Sequence, residues 1–71
     1  MAAHNKRINY DERAEGMDTL GLELQPNEKT GVLAIVALDE RMRPKGVVHI
    51  PSSALDEVIQ SLTYMQEMMG G

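Results

Sequence analysis

The chain has no cysteine, no phenylalanine and no tryptophan, and it has only two tyrosines. Without cysteine, no disulfide or thiolate metal site can staple the fold. Without the larger aromatics, the core has to come from Leu, Val, Ile and Met. A membrane-length apolar run is also missing. The longest apolar run, Val32 to Leu38, is far short of the roughly 20 residues a spanning helix needs. No apolar stretch follows the first basic residues, so no signal peptide is expected and the expected location is a reducing cytoplasm. Positive charge is scarce as well. The formal net charge is −4, whereas a dedicated duplex-DNA binder carries a basic stripe that releases counterions from phosphates.

With 71 residues there is room for one domain. Chains this short bury a small share of their surface and are marginally stable alone. Self-association is the simplest remedy, because it adds buried area without adding sequence.

Residues 1–16 read as a flexible polar arm. Ile8 and Tyr10 are its only sizeable apolar groups after Met1, too few to offset ordering entropy. The stretch Ile8–Tyr10 has the makings of a short edge strand. Lys6, Arg7 and Arg13 balance Asp11, Glu12 and Glu15, so the whole negative charge lies in residues 17–71, the expected folded domain.

In residues 19–25, Leu20, Leu22 and Leu24 alternate with polar residues or glycine, the pattern of a half-buried strand. A turn is expected over residues 26–31. Val32 to Leu38 is apolar on both faces, which predicts a central strand with something packed on each side. Residues 39–46 form a charged connection, and Val47-Val48-His49-Ile50 a further strand closed by Pro51. Ser52 or Ser53 is expected to cap a helix, with Asp56 in the capping-box position. Leu55, Val58, Ile59, Leu62, Met65 and then Met68 or Met69 follow helical spacing. Gly70-Gly71 ends the helix. The predicted fold is α+β: a three- or four-stranded antiparallel sheet with one C-terminal amphipathic helix packed on it. One helix covers only one face of such a sheet, so a homodimer is expected.

Candidate sites are few. Arg41, Arg43 and Lys45 bracket Pro44 and could grip a phosphate, a nucleotide or an acidic surface. The plainer reading is a solvated turn that keeps sheet edges apart. His49, between Val48 and Ile50, points away from both and reads as a half-exposed strand histidine with no ligand spacing around it. Tyr64, Met65, Met68 and Met69 are the candidate partner contacts, because flexible thioethers and aromatics suit adaptable surfaces. The same methionines also read as core or dimer packing. The three serines, Ser52, Ser53 and Ser61, meet no His–Asp arrangement. The isolated glycines make no phosphate loop. No catalytic residue, cofactor or metal is expected, and no enzyme activity.

The order strand, strand, basic turn, Lys45-Gly46-Val47-Val48-His49-Ile50, cap and acidic helix resembles the C-terminal half of positive cofactor four-like domains. The similarity covers about residues 32–66, and Lys45-Gly46 is its closest match. It implies a dimer and single-stranded nucleic-acid binding. The strands here lack the aromatics on which such platforms stack bases.

The leading expectation is therefore a small non-catalytic regulatory or interaction protein. It would act as a homodimer or higher oligomer by docking on a protein partner and not on a membrane, and it would suit a bacterial or phage-encoded accessory role. The alternative is a single-stranded nucleic-acid binder using Arg41, Arg43, Lys45 and also Lys6 and Arg7. A third is an oligomer that sequesters a small anionic ligand at subunit junctions.

Overall fold

The computed structural model describes residues 4–70. The start of the polar arm, residues 1–3, and the terminal Gly71 lie outside them. Four strands form one antiparallel sheet in sequence order: β1 (Lys6–Asn9), β2 (Gly21–Asn27), β3 (Val32–Leu38) and β4 (Pro44–Pro51). One helix, α1 (Ser52–Met68), follows. The expected α+β arrangement, an antiparallel sheet followed by one C-terminal helix, is present, with four strands.

The fourth strand comes from the segment expected to be an arm. Ile8 pairs with Leu22 and Lys6 with Leu24. The Tyr10 N–H donates to the Leu20 carbonyl at 3.0 Å, closing the connection between β1 and β2. Strand β2 runs two residues later than the leucine alternation suggests and takes in Pro26. There β2 has outrun β1, whose last partner is Leu24. It is an edge at that point, where a missing N–H is tolerated. Strand β4 starts at Pro44, three residues earlier than expected, and takes in the basic residue of the connection, Lys45, at a register shift opposite Ala37 and Leu38.

The register divides the sheet into two faces. On one, Ile8, Leu22, Leu24, Leu33, Ile35, Ala37, Val48 and Ile50 form a nearly continuous apolar surface. On the other, Arg7, Glu23, Gln25, Asn27 and His49 alternate with Ala34, Val36 and Leu38. The buried core is very small and lies on this second face. Among the described residues, Val36 (8% exposed) and Leu38 (1%) are the only buried hydrophobic side chains. At the Leu38 end, Met17, Leu20 and Met42 are half-buried, and the Leu20 N–H donates to the Leu38 carbonyl at 2.9 Å. The apolar face is at best half-buried throughout.

Gly21, opposite Leu38, is required by a close approach. A Cβ there would lie 2.6 Å from the Ile8 carbonyl oxygen and 3.2 Å from the Met42 Cε. Backbone cannot yield as a side-chain tip can. Gly21→Ala is therefore expected to cost about 1–3 kcal/mol. In a domain this size that lowers the melting temperature by roughly 4–8 °C per kcal/mol. An unchanged melt would show that β1 shifts freely.

The helix differs from expectation in two ways. Its N-cap is Pro51, with no side-chain cap, so Ser52, Ser53 and Asp56 do not make the capping box. Ser52 is already helical, and its N–H donates to the Gly31 carbonyl at 2.7 Å. The turn thus supplies the acceptor that a serine hydroxyl was expected to give. The second difference is packing. Helix α1 follows β4 with no intervening residue, so there is no connection to carry it back across the sheet. Its main contact is with β4. No helical residue is buried, and only Ala54, Leu55 and Val58 are half-buried. At the far end Gly70 takes φ +75°, the left-handed conformation that ends a helix.

Candidate functional site

The charged connection between β3 and β4 is a tight turn organised by Asp39. Its Oδ1 accepts the backbone N–H groups of Arg41 and Arg43, each at 2.9 Å. The Asp39 N–H donates to the Arg43 carbonyl, and the Met42 N–H to the Asp39 carbonyl. Met42 at the bend has φ +61°, an uncommon conformation for a side chain of its size. Hydrogen bonds from the Arg43 and Arg41 backbone hold the Asp39 carboxyl below the ordinary carboxylate range, against a smaller opposing effect of desolvation.

The three bases singled out from the sequence lie together here, but with acids among them. Lys45 Nζ is 2.7 Å from Asp18 Oδ2, and Arg43 Nε is 3.8 Å from Asp39 Oδ2. The hydrogen bond from Lys45, and then its charge, lower the Asp18 pKa. Glu40 is paired with Arg13 at 2.8 Å. A shallow depression of about 270 Å³ is lined by Asp18, Asp39, Glu40, Arg41, Arg43 and Lys45, three acids and three bases. Arg41 is exposed and has no ion-pair partner among the described residues. The exposed pairs are worth little to stability. They do neutralise the local field that an incoming phosphate would meet.

Lys6 and Arg7 are on β1, at the other edge of the sheet. Arg7 is already engaged, with Nη2 2.9 Å from Glu23 Oε1. This bond, together with one from Gln25 Nε2, lowers the Glu23 pKa. The structure does not gather the five candidate bases into one stripe.

A larger concavity, missed by sequence reasoning, lies on the polar face. It measures about 830 Å³ and is open to solvent. His4, Asn5, Gln25, Lys29 and His49 line it, over a floor of Val32 and Ala34. It holds both histidines of the chain. His49 is opposite Ala34 in the register, which places it on the face where this concavity opens. Among the described residues, no group of three His, Asp or Glu side chains is placed to hold a metal.

The helix carries the remaining candidates. Tyr64, Met65, Met68 and Met69 are all exposed, Met69 most at 83%. Helix α1 leaves the Pro51 end of β4, whereas the Arg41 turn lies beyond the Pro44 end. The anion candidates and the partner candidates are thus separate surfaces. No helix among the described residues is long and apolar enough to cross a membrane. Comparison of the chain with protein-family models, with curated proteins and with solved structures gives no match.

Proposed function

We propose that this chain is a small non-catalytic interaction protein, cytoplasmic and homo-oligomeric, that acts by docking on another protein. The observation that carries the reading is the helix. Ile59, Leu62, Tyr64, Met65, Met68 and Met69 are all at least half exposed. They do not share one side. Leu62 and Met65 belong to the stripe that continues Leu55 and Val58, whereas Tyr64 faces away from it and Met68 flanks it. A helix that is apolar on several sides buries several sides. Large exposed apolar patches on a small protein mark interaction surfaces. One side can serve self-association and another a partner.

A photo-crosslinking residue at Tyr64 tests the docking step. The expected result is one discrete adduct with a different protein, suppressed by excess unmodified chain. Products made only of multiples of this 7.9 kDa chain would overturn docking and leave self-association standing.

Arg41 favours a second reading, single-stranded nucleic-acid binding of the positive cofactor four type, because it is a guanidinium without a counterion among the described residues, at the tip of a turn. Three phosphate contacts from Arg41, Arg43 and Lys45 would give a log–log salt slope of about −2. Replacing all three by alanine is expected to abolish such binding and leave the fold intact, since all three are exposed residues whose ion pairs are worth little to stability. A triple variant that binds single-stranded DNA like its parent removes the turn as the site. A parent that does not bind at low salt removes the nucleic-acid reading.

A further inference from the structure

We infer that the bare apolar face of the sheet and the Leu55–Val58–Leu62–Met65 stripe of α1 form one continuous interface for a second copy of this chain. The inference rests on the homo-oligomeric part of the proposed function and names the surface that performs it.

Area is the first argument. A folded monomer of 7.9 kDa ordinarily exposes about 4,400 Å². This chain exposes 5906 Å². The excess is about 1,500 Å², close to twice the roughly 800 Å² per partner of a standard protein interface and within the range of obligate homodimers. Large apolar side chains are among the groups that stay exposed. Val48 is 61% exposed, Leu62 63% and Met65 50%, while Leu22, Leu24, Leu33 and Ile35 are only half-buried.

The second argument is self-complementarity. A surface that joins two copies about a two-fold axis must contain both halves of its own contact. Here one chain presents a broad apolar sheet face and a narrow apolar helix stripe, and its own helix contacts mainly β4 and does not cover the face. A two-fold partner offers each of these surfaces to the other in equal number. Charge fits as well. Helix α1 carries Asp56, Glu57 and Glu67 and no base. The one charged residue that the register places on the apolar face is Lys6, at its β1 edge. Asp56, Glu57 and Glu67 share the far side of the helix with Gln60, so they stay out of the dry centre.

Burial of the face against a copy also explains the position of the buried core. Among the described residues of the single chain, the only buried hydrophobic side chains are Val36 and Leu38, and both are on the opposite face. The apolar face holds more and larger aliphatic side chains than that core, and a second copy would bury them.

Sedimentation across the micromolar range tests the inference. The parent is expected at twice the 7.9 kDa chain mass, with a melting temperature that rises with concentration, as coupled folding and association require. Leu24→Asp, on the sheet face, and Leu62→Asp, on the stripe, should each weaken association at least about a hundredfold, because each buries two carboxylates per dimer. Gln60→Asp, on the far side of the helix, should leave association unchanged. If the aspartate variants do not fold, a single thiol decides, since the chain has no cysteine of its own. Alkylation of Met65→Cys should be roughly tenfold slower than that of Gln60→Cys and should slow further as concentration rises. Equal rates overturn the interface. A parent that is monomeric, with a concentration-independent melt, overturns both the interface and homo-oligomerisation. A dimer indifferent to both aspartates, or an assembly of more than two copies, overturns this interface alone.

Discussion

Ile35→Asp is expected to abolish the folded state at micromolar concentration, seen as loss of the cooperative thermal transition by circular dichroism. Ile35 is in the middle of the central strand, opposite Leu24 on one side and Val48 on the other. All three belong to the apolar face. An unpaired carboxylate in an apolar site costs several kcal/mol, comparable with the whole stability of a small domain, about 5–15 kcal/mol. The effect depends on what covers the face. In the isolated chain Ile35 is only half-buried, and water reaching an aspartate there would leave a cost near that of an ordinary surface substitution, within about 0.5 kcal/mol. A variant that melts like its parent would show that the face is open to solvent in the working protein.

Leu38→Ala is expected to be equally damaging for a reason internal to one chain. Leu38 is the most buried side chain, at 1% exposure. It is opposite Gly21 and adjoins the bulge at which β4 begins. Leucine-to-alanine changes in cores cost about 2–5 kcal/mol, the loss rising with the cavity left behind. Relaxation is restricted here. Gly21 is pressed against the β1 backbone, and the Leu38 carbonyl is tied to the Leu20 N–H. The expected drop in melting temperature is therefore some 10 °C or more. Its concentration dependence should match that of the parent, since Leu38 is on the face away from the apolar surface. A drop of less than about 4 °C, equivalent to under 1 kcal/mol, would show that the Val36–Leu38 cluster is not the organising core.

Much of the architecture was legible because local rules and tertiary context agree. Val32–Leu38 reads as a central strand and is one, since seven consecutive apolar residues have few other places to go. The helix was legible from its spacing and from Gly70. What the helix packs against was not. Periodicity shows that a stripe exists, but the direction in which α1 leaves the sheet is set by its direct junction with Pro51. The cap expectation failed for a related reason. Ser52 has the right side chain for a cap, but the tertiary acceptor at Gly31 lies 21 positions earlier and is invisible to local reading. The Arg41, Arg43 and Lys45 cluster was legible as charge, and its neutralisation was not, because Asp18 reaches Lys45 across the molecule. Nor was the trough that His4 and His49 both line legible, because its lining is gathered from segments far apart in the chain.

The two borders of the sheet limit how copies of this protein can add together. One border is β4, which begins and ends with proline and carries a register shift at its start. The other is β1, only four residues long and led by Lys6-Arg7. Prolines, irregular pairing, short length and lysine all make an exposed strand a poor template for a neighbouring chain. Growth by strand addition, the route to fibres, is obstructed at both ends. Attachment through the apolar side, as proposed above, would use that side up once a single copy had settled there. On the proposed two-fold interface, assembly at high concentration would stop at a closed particle where an oily sheet would otherwise polymerise.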